Sequence, residues 1–211
     1  SVCTKTSDNS RVNMLSALIS FSLALEAART QEVGIITPYH AQSRLLHAMA
    51  RDVAETCPEL KPISSATVHQ FQGSEKDVIV YDAVDCYRMP YPGTLLTSIG
   101  NNYANRLFNV ALTRTKGKFI GVANIAYMEN KKLSNNLMFK RMIETQRRKK
   151  SCLKGTELTY PRKDINGSPM SFMDKNEGIK LFLDDIVEAR REIRIDIPDK
   201  PVDDTSVSQL A

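Results

Sequence analysis

The chain alternates between short unbroken apolar runs and longer segments in which apolar residues return every third or fourth position. The runs "EVGIIT" (32–37), "VIVYDAV" (78–84) and "KFIGVAN" (118–124) read as buried strands, because a strand covered on both faces has no polar side to show. "ISSAT" (63–67) is a weaker fourth. Met14 to Arg29, opened by Ser10 or Asn13, carries Leu15, Leu18, Ile19, Leu23 and Leu25 along a helical face. Ala41 to Glu55 does the same with Leu45, Leu46, Met49 and Val53, and Asn102 to Leu112 forms a third helix ending near Arg114. Strand and helix in alternation imply right-handed crossovers and a parallel sheet covered by helices, so the fold class is α/β.

The proline and glycine punctuation of "YRMPYPGTLLTSIGN" (87–101) marks a loop. Beyond Tyr127 the pattern changes. Residues 128–150 read as a helix with a basic end, and "GTELTYPRKDINGSP" is irregular. Asp174 and Glu177 give a capping signal before Ile179, Phe182, Leu183, Ile186 and Ile193, an amphipathic helix stopped by Pro198. The expected organisation is a main domain over 1–150, an extension over 151–197 containing the 174–197 helix, and a disordered tail over 198–211.

Composition narrows the class without naming a function. Hydrophobic residues make up 42% and charged residues 25% of 211, values of an ordinary globular protein able to bury one good core. No apolar run reaches the roughly 18 residues needed to cross a bilayer. "SVCTKTSDNS" has neither a basic nor an apolar signal region. An intracellular protein with no membrane partner is expected, and the opening without methionine suggests a piece of a longer chain. Cys3, Cys57, Cys86 and Cys152 lie far apart with no metal-ligand spacing, so they read as free thiols, and no metal is expected. The net charge of +5 is uneven: Arg114 to Lys150 carries eleven Lys or Arg against Glu129 and Glu144. A basic body suits a polyanionic partner.

In an open parallel sheet, ligands bind at the carboxyl ends of the strands. Three polar clusters are expected there: Thr37-Pro38-Tyr39-His40-Ala41-Gln42, Thr67 to Glu75, and Asn105 to Arg114. Gly73 permits backbone N–H groups to approach a phosphate, and Glu75 has the acceptors for a ribose hydroxyl. Arg114 offers the fixed, always-charged fork that suits a transferring phosphoryl group. Thr67, His69 and the turn from Thr37 to His40 offer hydroxyl, imidazole and N–H groups to a nucleic-acid backbone.

"VGIITPYHAQ", "ATVHQFQGSEKDVIV" and "NRLFNVALTRTKGK", in that order, resemble motifs IV, V and VI of superfamily 1B helicases, the group of the nonsense-mediated-decay RNA helicase. The resemblance runs from about Ser10 to Asn124. It implies a RecA-like domain with the P-loop NTPase fold, the second lobe of a helicase core. It makes Arg114 the motif VI arginine finger and the catalytic residue, and assigns Gln72, Gly73 and Glu75 to the nucleotide. Pro38, Tyr39, His40, Thr67 and His69 then fall on the nucleic-acid side, although His69 departs from the aspartate common in the group. Arg106 matches a second motif VI arginine.

The chain has no G-x-x-x-x-G-K-[ST] loop and no D-E-x-x box. The resemblance places both on an upstream lobe, together with the ligands of Mg²⁺. The expected function is therefore the C-terminal motor domain of an ATP-dependent DNA or RNA helicase, whose partners are a single strand and that upstream lobe. The fragment alone is expected to be inactive. The alternative is a non-catalytic RecA-like module that only grips nucleic acid, and retention of Glu75 and Arg114 argues against it.

Overall fold

The computed structural model describes residues 2–71, 74–153, 162–163 and 169–170. A short antiparallel pair opens the chain, β1 (Thr4–Lys5) with β2 (Arg11–Val12). Then follow α1 (Met14–Ala28), β3 (Val33–Thr37), α2 (His40–Thr56), β4 (Ile63–Thr67) and β5 (Lys76–Asp82). After them come α3 (Thr94–Thr97), a 3₁₀ turn over Gly100–Asn102, α4 (Tyr103–Thr113), β6 (Thr115–Val122), α5 (Ile125–Asn130) and α6 (Met138–Arg148). A second short antiparallel pair, β7 (Arg162–Lys163) with β8 (Pro169–Met170), lies in the stretch expected to be irregular.

Strands β3 to β6 form one parallel sheet in the order β4-β3-β5-β6. Because side chains alternate along a strand, the sheet has two apolar faces and both are covered, which gives the α/β, RecA-like layering. Helices α1 and α2 pack on one face. On the other, Ile36, Ile79, Tyr81, Phe108, Phe139 and Ile143 form a single cluster with α4 and α6. Its aromatic rings meet edge to face, Tyr81 with Phe108 at 5.2 Å and Phe108 with Phe139 at 5.5 Å, the geometry that ring quadrupoles favour. The outermost strand β6 exposes Lys116 and Lys118 to solvent.

Asn13 caps α1: its side-chain oxygen accepts from the Ser16 N–H at 3.2 Å. Ser10 serves α2 instead, accepting from the Ala41 N–H at 3.0 Å. The buried face of α1 differs from the leucine face expected. Ala17, Ser20, Phe21, Ala24 and Ala28 are buried together with the expected Leu25, whereas Leu15 is exposed and Leu18, Ile19 and Leu23 are only half-buried. Small residues at spacings of three and four let a helix lie close on a sheet, and here close approach outweighs side-chain size.

Three other expectations shift. β5 ends at Asp82 rather than Val84, because Val84 takes φ 65 and turns the chain out of the sheet. The helix expected over 128–150 is broken between Asn130 and Met138 into α5 and α6. The loop at 87–101 contains α3 and the 3₁₀ turn. The 174–197 helix and the 198–211 tail lie outside the described residues.

Gly34, in the middle of β3, is where the chain after β4 crosses back over the sheet. A Cβ there would lie 2.4 Å from Phe71 Cζ and 2.9 Å from Ile79 Cδ1, and Phe71 is buried. The missing side chain is thus the seat of Phe71. Gly34→Ala is expected to lower stability by about 1–3 kcal/mol through overpacking. Chemical denaturation would show it, and an unchanged midpoint would contradict the role of this contact.

Candidate functional site

The carboxyl edge of the sheet collects the first group of candidates. Thr37 and Thr67 end neighbouring strands and pair directly. Pro38 and Tyr39 follow Thr37 and are buried, while His40 is exposed at the start of α2. The Thr67 hydroxyl donates to Gln70 Oε1 at 3.1 Å, and the Thr67 N–H reaches the same oxygen at 3.3 Å. Exposed His69 places Nε2 3.1 Å from the Tyr103 hydroxyl, at the start of α4.

Tyr39 belongs to a buried charged network absent from the sequence reading. Its hydroxyl donates to Asp85 Oδ2 at 2.7 Å, and the Gly93 N–H donates to the same oxygen at 2.7 Å. Arg11 Nη1 lies 2.5 Å from Asp85 Oδ1, donates to the Tyr91 carbonyl at 3.1 Å, and sets its guanidinium 5.5 Å from the Tyr39 ring centre. Burial first, then the Asp85 charge, hold the Tyr39 phenol well above its usual range. Gly93 is required by contact: a Cβ there would fall 2.1 Å from the Tyr39 hydroxyl. Tyr39 therefore spends its hydroxyl on positioning the loop after β5.

Beside it lies a second buried carboxylate, Asp82. It accepts from Gln42 Nε2 at 2.7 Å, the Ser16 hydroxyl at 3.2 Å and the Val84 N–H at 3.0 Å. Gln42 Oε1 accepts from the Asn13 N–H at 2.9 Å, so α1, α2 and the end of β5 share one set of bonds. Burial, the largest cause, pushes the Asp82 carboxyl from 3.8 up to about 6, against the lowering effect of its donors. Between about pH 4 and pH 6 the folded chain keeps a proton that the unfolded chain has released. The contribution is therefore full below the ordinary carboxylate range and lost as pH rises through about 6. Stability is expected to rise as pH falls from about 7 to 4, with a share from this group on the order of 1 kcal/mol by pH 5 and 2–3 kcal/mol by pH 4. Asp82→Asn should flatten that part of the profile in urea denaturation, and superimposable profiles would contradict the assignment.

The remaining candidates lie at the opposite edge. Lys76 and Thr115 begin β5 and β6 side by side, and the Lys76 N–H donates to the Arg114 carbonyl at 2.9 Å. Glu75 and Arg114 are thereby neighbours in the fold, at the amino ends of the strands. This corrects the expectation that all three clusters share the carboxyl edge. A helix between two parallel strands runs against them, so the end of α4 is delivered to the start of β6. Glu75 is exposed. Arg114 is half-buried, and its Nε is buried with no hydrogen-bond partner among the described residues; the neighbouring Thr115 hydroxyl is in the same condition. Gln72 and Gly73 lie outside the described residues. Arg106 is exposed on α4, whereas Asn105 ties α4 to α6 by accepting from the Met138 N–H at 2.8 Å.

Arg11, Asp82, Asp85 and Gly93 were not singled out from sequence as site residues, and Gln42 was named only within the first polar cluster. The signal for two of them was present: acids directly behind a buried run, in "VIVYDAVD", have few places to go except a sheet edge with donors. Arg11 lies 74 residues from Asp85, and nothing in the local pattern pairs them.

A family model described as an AAA domain matches residues 4–126, more than half of the chain. Regulator of nonsense transcripts 1 of Dictyostelium discoideum is 35% identical over 109 residues, 51% of this chain and 8% of that protein. Helicase sen1 of Schizosaccharomyces pombe is 32% identical over 111 residues, 52% of this chain and 6% of that protein. DNA polymerase alpha-associated DNA helicase A of Saccharomyces cerevisiae is 32% identical over 97 residues, 46% and 13% of the two chains. The chain thus spans only a small part of the curated relatives it matches. Among the described residues no helix is long and apolar enough to cross a membrane.

Proposed function

We propose, from the premise that this chain belongs to the AAA domain family and is a superfamily 1 helicase region of the nonsense-mediated-decay type, that it is the second RecA-like lobe of an intracellular ATP-dependent helicase. The observation that carries this is Arg114. A half-buried guanidinium whose Nε has no partner among the described residues suits an oxyanion brought from outside the lobe, because its planar fork matches phosphate geometry. ATP with Mg²⁺ would be held mainly by the other lobe. Arg114 would stabilise charge on the phosphoryl group being transferred, with Gln72, Gly73 and Glu75 beside the nucleotide. Thr67, His69 and His40 would meet the backbone of single-stranded DNA or RNA across the other edge, with Pro38 and Tyr39 shaping the turn beneath. Lobe closure would align Arg114, and reopening after hydrolysis would change the grip on the strand.

The natural protein that carries this chain is expected to hydrolyse ATP, and to do so faster when single-stranded nucleic acid is added. The chain by itself is expected to show no turnover above buffer. Steady turnover by the chain alone, abolished by Arg114→Ala, would overturn the division of labour between two lobes.

A further inference from the structure

The loop that leaves β5 is fixed more firmly than a surface connection needs. Val84 and Arg88 both take positive φ, 65 and 76, a conformation that L residues adopt only when the surroundings hold them there. Asp85 is gripped by Arg11, Tyr39 and the Gly93 N–H, as above. The buried Tyr127 hydroxyl donates to the Met89 carbonyl at 3.0 Å. What this framework presents is Tyr91, between Pro90 and Pro92, with its carbonyl bound by Arg11 Nη1. The Tyr91 side chain is 70% exposed, the value of a ring lying almost free in solvent, and Tyr87 in the same loop is 49% exposed.

A cation stands beside the ring. Lys131 places Nζ 5.6 Å from the Tyr91 ring centre and 5.3 Å from that of Tyr127, and Arg88 is exposed in the same loop. The loop starts at the carboxyl end of β5, and Lys131 follows α5 at the carboxyl end of β6. They therefore continue, across the sheet, the edge on which Thr37 and Thr67 stand.

We infer that Tyr91 is a base-stacking site for single-stranded nucleic acid, with Lys131 as its phosphate-side charge. This rests on the nucleic-acid edge proposed above and adds a subsite to it. An exposed aromatic face on a backbone held in place suits a base because every base has a π face. An ammonium beside the ring supplies the attraction for the phosphate of the same nucleotide. A docking surface for another protein would be expected to cover the ring with apolar neighbours, whereas the ring of Tyr91 is largely exposed with the Lys131 ammonium beside it.

The test is fluorescence anisotropy of the whole chain with fluorescein-labelled oligo-dT and oligo-rU, and with an abasic strand of the same phosphate number. Tyr91→Ala is expected to weaken binding of the base-bearing strands by roughly five- to a hundred-fold. Tyr91→Phe should retain it, and all three proteins should bind the abasic strand alike. Lys131→Ala should lower the slope of log affinity against log salt by about one. The thermal midpoint of Tyr91→Ala should match that of the parent, since the ring is exposed. Undiminished binding of oligo-dT and oligo-rU by Tyr91→Ala overturns the stacking site and leaves the loop to a protein partner. An equal loss on abasic and base-bearing strands also overturns it. If the parent chain binds none of the strands, the nucleic-acid edge itself falls, and the stacking site with it.

Discussion

Replacing Arg114 by alanine in the natural protein that carries this chain is expected to reduce ATP turnover by about 10³-fold or more, the scale associated with finger arginines in phosphoryl transfer. Affinity for single-stranded nucleic acid should be essentially unchanged. The separation of these effects follows from topology. Arg114 stands at the amino ends of β5 and β6, where Lys76 donates to its carbonyl, while Thr37 and Thr67 pair at the carboxyl ends of β3 and β4. Removing the guanidinium takes away a planar fork that is always charged, and the edge carrying Thr67 makes no use of it. Arg114→Lys should recover little, because an ammonium cannot reproduce the fork. Steady-state turnover with saturating strand, set beside anisotropy on the same preparations, measures both. A loss below about tenfold would count against a finger role for Arg114, and an equal fall in strand affinity would show the edges to be one site.

The second large effect belongs to Asp85. Asp85→Ala is expected to destabilise the domain by about 3–5 kcal/mol, because breaking a buried ion pair from one side leaves the other charge uncompensated. The Asp85 side chain is fully buried and that of Arg11 is 13% exposed, so water can do little for the remaining guanidinium. The Tyr39 hydroxyl and the Gly93 N–H lose their shared acceptor in the same step. In a chain of this size such a loss corresponds to a fall of about 10 °C or more in melting temperature. Replacing both partners, Arg11→Met with Asp85→Leu, should restore the part due to the uncompensated guanidinium and leave the part due to the Tyr39 and Gly93 donors. Thermal denaturation of the two single variants and the double variant decides the matter. Additive losses would mean that the two residues do not act as a pair.

The inner strands β3 and β5 were legible because burial on both faces leaves an apolar run, as in Val33 to Thr37, whereas the edge strands β4 and β6 are only partly buried and gave a weaker or shifted signal. Boundaries were less so. Val84 looks like the last residue of a strand in "VIVYDAV", yet it is the pivot that turns the chain away, and only the bonds around Asp82 and Asp85 explain why a β-branched residue accepts that conformation. The face of α1 was misjudged for a related reason. Hydrophobicity alone favoured the leucines, whereas distance to the sheet favoured Ala17, Ala24 and Ala28. Candidates carried by a contiguous pattern, such as Thr67 and Arg114, could be proposed from sequence. The pairing of Arg11 with Asp85, 74 residues apart, could not.

The outermost strand β6 has a consequence for the behaviour of the chain in solution. Lys116 and Lys118 are exposed two residues apart on that strand, which pairs with β5 alone among the described residues. A second molecule docking there strand to strand would bring ammonium groups against ammonium groups, at a place where the backbone would otherwise invite pairing. The edge is thereby guarded against growth of the sheet from one molecule into the next. The guard is electrostatic, so it is strongest in dilute buffer and weakens as salt shortens the range of the repulsion.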